Sequence, residues 1–432
     1  MQESGDASPE TASTAMTGWQ LKFFPIWTGQ AFSLLGSRVV QFALVWWLTT
    51  LTGSATVLAT ATMVGLLPEI LLGPIAGAYV DRWNRRDVMI VADGLIALAS
   101  LALAYLFWID AVQVWHIYVI MLIRSIGGSF HYPAMAASTS LMVPRQHLTR
   151  VAGLNQTLYG MLSIFGPPLG ALAMQWLPFY DIMLIDVFTA MIAIAPLLFV
   201  SIPQPQRQET GAARPSIWTD MRDGLRYLLG WRGMMIVIGA ALIFKLAMTP
   251  AFSLLPLLVS DHFRGDAVQL SLLETVLGTG IVLGGLALGV WGGFRRRVYT
   301  MLLALLISGL CVVVIGLTPS TAFWLAVAAT FAIGLLMPPI DGTFMAILQG
   351  NVAPELQGRV FSLIGSLLTL SSPVGLALAG PVSDALGLQV WYIIGGVLTS
   401  AVAAALFFVS AVVNIEQGRS PAPASLSPRG EG

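Results

Sequence analysis

The chain has 432 residues, 56% of them hydrophobic and 10% charged, and its mean hydropathy is +0.81. Soluble globular domains carry roughly 25% charged residues. The composition therefore excludes a soluble enzyme, a disordered chain and a nucleic-acid binder, and points to a polytopic membrane protein. Basic and acidic residues both number 21, so no net field steers a charged partner. A single cysteine, Cys311, in an apolar run, excludes an intrachain disulfide and a cysteine-built metal site.

Residues 1–20 are polar and acidic, with no apolar stretch behind a basic start, and are expected to be a disordered cytoplasmic N-terminus rather than a signal peptide. A bilayer-spanning helix needs about 20 mostly apolar residues. Twelve such runs follow, near 23–51, 55–80, 87–108, 114–142, 151–177, 181–201, 234–259, 269–292, 298–317, 322–349, 359–381 and 388–413. The longest polar stretch divides them six and six. This gives an N-terminal half at 21–201, a cytoplasmic linker at 202–233 and a C-terminal half at 234–413. The linker carries Ile217, Met221, Leu225 and Leu228 at helical spacing between charges, which reads as an amphipathic helix on the cytoplasmic surface. Residues 414–432 are Pro- and Ser-rich and read as a disordered cytoplasmic tail.

With both termini in the cytoplasm, 17 of the 21 lysines and arginines fall on that side and Arg264 alone falls outside. Arg38, Arg124 and Lys245 lie inside spans. This bias sets the expected orientation.

The halves echo each other. Gly73–Gly77 ends span two ahead of Arg82, Arg85 and Arg86, and Gly285–Gly289 ends span eight ahead of Arg295, Arg296 and Arg297. Pro168-Leu-Gly170 in span five matches Pro373-Val-Gly375 in span eleven. Duplicated six-helix halves are a transporter architecture.

The segment GAYVDRWNRR, Gly77 to Arg86, resembles the loop motif G-x-x-x-D-R-x-G-R-R/K of the major facilitator superfamily. Asn84 replaces a glycine there, a mild change if the position is a left-handed turn. The segments GQAFSLLGS from Gly29, TGSATVL from Thr52, IRSIGGSFHYPA from Ile123 and GRVFSLIGSLLTLSSPVGLALAG from Gly358 resemble the macrolide-efflux branch of drug:proton antiporters. Span five also resembles that group's motif G-x8-G-x3-G-P-x2-G-G through Gly153, Gly166, Pro167 and Gly170, with Leu162 and Ala171 departing from it. Glycines so placed suit close helix approach between the halves. The resemblance implies an all-α membrane protein of twelve transmembrane helices in the major facilitator fold. It also implies a conformational latch at Gly77, Asp81, Arg82, Arg85 and Arg86. Asp81 is expected to approach the positive N-terminal end of span eleven near Arg359.

Ionisable residues at membrane depth are functional candidates by default. At about 1.5 Å per residue, Arg38 and Glu69 both lie ~20 Å below the outer surface on adjacent antiparallel spans, which predicts a pair. Lys245 is at similar depth and Arg124 slightly shallower. Asp93 and Asp341 lie nearer the cytoplasm, and Asp186, Glu274 and Asp384 nearer the outside. Glu274 and Asp384 read as solvated or capping residues, Asp93 and Asp81 as partners of loop arginines, and His131 as a packing histidine. The resemblance places spans one, four, seven and ten around the central cavity, so Arg38, Arg124, Lys245 and Asp341 are substrate-cavity candidates. It ties Arg124 to proton coupling. Glu69 and Asp341 join it as proton-coupling candidates on physical grounds alone, because a carboxylate is inexpensive in low dielectric when protonated and seeks a counter-charge when ionised.

No H-E-x-x-H pair and no Walker A sequence occurs, so neither a zinc protease nor ATP hydrolysis is supported. The expected function is export of a hydrophobic, macrolide-like molecule by proton antiport with alternating access. The expected protein is a multi-pass, cofactor-free monomer of the cytoplasmic membrane, partnered by small molecule, protons and lipid. Three membrane-depth cations leave open an exporter of a siderophore or other anionic metabolite on the same fold. A membrane sensor or embedded enzyme is the rival from another class.

Overall fold

The computed structural model describes residues 9–80, 82–204 and 225–416. Asp81, Ile217, Met221 and the tail beyond 416 lie outside the described residues, so the acidic half of the latch and most of the amphipathic linker helix do too. Twelve long helices and no strand occur among the described residues: α1 (Pro9–Thr52), α2 (Ala55–Val80), α3 (Arg85–Trp108), α4 (Val114–Met142), α5 (Leu148–Trp176), α6 (Phe179–Phe199), α7 (Arg232–Ser253), α8 (Ala267–Trp291), α9 (Arg297–Leu317), α10 (Phe323–Asn351), α11 (Pro354–Leu386) and α12 (Gln389–Leu406). Eleven are long and apolar enough to cross a bilayer. The other, α4, has the length, but Arg124, His116 and His131 lower its hydropathy. The chain is an all-α membrane protein. Helix α1 is already helical at Pro9, inside the stretch expected to be disordered.

Two compact units form, Met1–Val45 with Val64–Glu209, and Trp46–Met63 with Thr210–Gly432. The tip of the α1–α2 hairpin therefore belongs to unit 2, contrary to a division at the linker alone. Its attachments are polar and close. Thr56 Oγ1 donates to Asp384 Oδ2 at 2.9 Å, the hydroxyls of Thr62 and Ser253 lie 2.9 Å apart, and Gly380 leaves no room for a side chain beside Thr56. Asp384 is thus a hairpin anchor and not merely a solvated cap. The described end of the linker also joins unit 2, where Tyr227, Leu228 and Trp231 are buried with Val298, Leu302, Val412 and Ile415.

Each unit repeats the same internal neighbours. In unit 1, α3 packs on α4 and α6; in unit 2, α9 packs on α10 and α12. Helix α5 meets α1 where Gly170 faces Phe42, and α11 meets α7 where Gly375 faces the Leu246 carbonyl. The Pro-x-Gly echo in the sequence thus marks one contact made twice. Between lipid-embedded helices the attraction is packing, so small residues gather where backbones approach.

Candidate functional site

Four helices of unit 1 converge on Asp186, which is 0% exposed. It lies seven residues into α6, and Arg124 lies ten into α4. Arg124 Nη1 forms an ion pair with Asp186 Oδ2 and donates to Ser100 Oγ at 3.1 Å, while Nη2 donates to the Ser37 carbonyl at 3.3 Å. Ser37 Oγ donates to Asp186 Oδ1 at 2.8 Å, and Ser100 Oγ to Oδ2 at 2.7 Å. A buried carboxylate is tolerable when a cation and hydrogen bonds replace its hydration. Asp186 was not among the sequence candidates. The signal for it was depth: seven residues is ~10 Å and ten is ~15 Å, compatible with contact.

Two turns along the same three helices lies a second polar group. Gln30 on α1, Asp93 on α3 and His131 on α4 each stand seven residues from Ser37, Ser100 and Arg124. Gln30 Nε2 donates to Asp93 Oδ2 at 2.8 Å, and His131 Nε2 lies 3.4 Å from Asp93 Oδ1. Asp93 is 4% exposed. It therefore accepts from a glutamine and faces a histidine instead of a loop arginine, and His131 adjoins a buried carboxylate and is not simply packed among apolar groups.

Arg38 and Glu69 make no ion pair with each other, and both are exposed. The reason is helix rotation. The Arg38 side chain leaves α1 toward α5, its Cβ lying against Gly166, whereas Glu69 is on α2. In unit 2, Lys245 and Asp341 line one cavity of about 110 Å³ with Val237, Phe244, Ile340 and Phe344, and their charges interact. A larger cleft of about 650 Å³ between α3 and α4 has Arg82 and Asp87 among its lining residues but none of the membrane-depth charges.

The loop motif staples the start of α3 to neighbouring helix ends. Arg85 Nη1 donates to the Ala137 carbonyl at 3.0 Å, and Arg86 donates to the carbonyls of Leu197 and, at 2.8 Å, Leu198. Arg82 is exposed, and Gly77 has open space where a Cβ would stand. Asn84 is extended, with φ −67° and ψ 113°, and caps α3 through Arg86 N–H while receiving Gln204 Nε2. It is an N-cap, not a stand-in for a left-handed glycine.

Of the four residues in the antiporter-like motif, Gly166 and Gly170 face Arg38 and Phe42 of α1, Pro167 is buried, and Gly153 borders open space. The close approach that the motif permits is therefore within unit 1, in place of the inter-half approach expected.

Comparison with known proteins gives a consistent result. The family model "Major Facilitator Superfamily" matches residues 26–375 and 237–430. The chain is 34% identical over 385 residues to Macrolide efflux protein A of Streptococcus pyogenes, covering 89% of this chain and 95% of that one. It is 26% identical to the multidrug efflux pump Tap of Mycolicibacterium fortuitum, over 83% of this chain and 88% of that one. Among solved structures, a bacterial homologue of the iron transporter ferroportin in an inward-facing state superposes with TM-score 0.67 at 15% identity, covering 88% of this chain and 97% of that chain. The nucleoside transporter NupG gives 0.59 at 13% identity, covering 87% and 97%. At such identities the structures speak for the fold alone.

Proposed function

This chain belongs to the Major Facilitator Superfamily, and from that premise we propose that it exports a hydrophobic, macrolide-like compound in exchange for protons. The observation that carries this reading is the 34% identity to a macrolide efflux protein along nearly the whole of both chains. In bacteria the site of action is the cytoplasmic membrane, with both termini inside, and the working unit is the monomer.

Asp341 is the proposed carrier of a proton beside the substrate. Protonation neutralises it and leaves Lys245 without its compensating charge in their shared cavity; release restores the attraction. Arg124 acts differently from the role expected of it. Bound to Asp186, it is a fixed positioning charge that joins α1, α3, α4 and α6. The same pairing weakens the anionic-metabolite reading, because one of the three cations that suggested it is already neutralised.

Expression in an efflux-deficient host should raise resistance to erythromycin, and an imposed pH gradient should drive erythromycin transport by the purified protein in liposomes. Asp341→Asn should lose the response to the gradient while retaining substrate counterflow. Unchanged susceptibility to macrolides together with gradient-driven transport of an anionic siderophore would replace the substrate assignment.

A further inference from the structure

We propose that Asp93 and His131 form a proton-binding site inside unit 1, separate from Asp341, whose loading and unloading contributes to export. The proposal rests on the proton-antiport reading above and adds a site to it.

The two polar groups of unit 1 are built on one plan. Ser37, Ser100 and Arg124 occupy α1, α3 and α4, and Gln30, Asp93 and His131 occupy the same helices seven residues away. Seven residues is about two turns, ~10.5 Å, so both groups face the same interior line. Ile96 against Gly127 separates them with apolar contact. Each group holds one buried aspartate. They differ in the cation. Arginine stays protonated in proteins, so Arg124 brings a fixed positive charge to Asp186. Histidine is the side chain that changes charge near physiological pH, so the Asp93–His131 pair can gain and lose a proton.

The local bonding suits that exchange. Asp93 Oδ2 accepts from Gln30, and Oδ1 lies 3.4 Å from His131 Nε2, a buried nitrogen with no hydrogen-bond partner of normal geometry among the described residues. With one proton, shared as imidazolium and carboxylate or as imidazole and carboxylic acid, the pair is neutral. A second proton gives a net positive charge, and removal of the last leaves an uncompensated buried carboxylate, both costly away from water.

Neighbouring charges do not pre-empt the pair. On α4 the nearest is Arg124, already held by Asp186 of α6. On α3, the exposed Asp87 stands six residues, ~9 Å, before Asp93, and Arg85 stands eight residues, ~12 Å, before it and donates to the Ala137 carbonyl. Helix α1 contributes the neutral Gln30, and its Arg38 stands eight residues further along. Toward α5, Tyr159 interacts with Tyr132 of α4 and with Arg38 of α1.

The test uses the full-length protein in liposomes with erythromycin as probe. For the wild type, each coupled proton should raise the accumulation ratio about tenfold per pH unit of gradient. His131→Arg converts the pair into a copy of the Arg124–Asp186 chemistry, keeping its charge balance while abolishing titration. It should lose about tenfold in gradient-driven accumulation per pH unit and retain erythromycin counterflow. Asp93→Asn should show the same split, and His131→Arg decides the matter if Asp93→Asn does not insert. A wild-type gradient response in His131→Arg would show the pair to be structural and overturn the proposal alone. Absence of any gradient response in the wild type would overturn the antiport reading and this proposal with it.

Discussion

Arg124 and Asp186 meet inside unit 1 from α4 and α6, and Ser37 of α1 and Ser100 of α3 hydrogen-bond to both side chains. Truncating one partner strands the other charge. Arg124→Ala or Asp186→Ala should each lower stability by about 3–5 kcal/mol, whereas replacement of both by leucine should recover most of it. Thermal denaturation of the purified variants in detergent measures this. Singles as stable as the parent would mean that the pair contributes nothing to the fold.

The glycines should separate by what they face. An added Cβ at Gly375 would lie 2.5 Å from the Leu246 carbonyl oxygen, which is backbone and cannot rotate away. At Gly170 it would lie 2.7 Å from Phe42 Cδ1, a side chain that can shift. Gly375→Ala should therefore cost more than Gly170→Ala within the roughly 1–3 kcal/mol typical of overpacking. Gly153→Ala, facing open space, should be neutral or should gain up to about 1 kcal/mol from helix propensity. The three melting temperatures, ranked, check the order.

Asn84 distinguishes a cap from a left-handed turn. As an extended N-cap of α3, its replacement by alanine should cost about 1 kcal/mol and by glycine only a few tenths. A left-handed residue would instead be stabilised by glycine. Melting of Asn84→Gly above the parent would contradict the capping geometry.

Arg38 and Glu69 should be separable. Both are exposed and unpaired with each other, so Arg38→Ala and Glu69→Ala should each stay within about 0.5 kcal/mol of the parent in stability. Expression level and melting report on this. A loss in both singles that the double variant restores would indicate that the two residues do pair in the working protein.

Orientation follows from the arginines. Single cysteines at Asp110 and Arg296, in a Cys311→Ser background, should react with an impermeant maleimide from opposite sides of the membrane. Reaction of Arg296→Cys on intact cells would reverse the assigned topology.

Much of the fold was legible along the chain. Apolar runs of bilayer length located the helices, because hydrocarbon thickness sets a minimum span. The Pro-x-Gly echo at Pro168–Gly170 and Pro373–Gly375 marked equivalent contacts, α5 on α1 and α11 on α7. The family segments pointed to the fold. Counting residues along spans also placed Asp93, Arg124 and Asp186 at approximate depths.

Depth is one coordinate, and pairing needs a second, the rotation of each helix about its axis. A soluble helix reveals its rotation through an apolar stripe. In a bilayer the lipid and the protein interior are both apolar, so apolar residues occupy every side of a spanning helix and the stripe disappears. Apolar length was enough to locate the helices, and counting along them gave the position of each charge on its helix. It took the packing of the helices to show that Arg38 turns toward α5, that Arg124 meets Asp186, and that Asp93 meets Gln30 and His131. Those choices are set by glycines such as Gly127 and Gly166, whose lack of a side chain fixes which faces of neighbouring helices can approach.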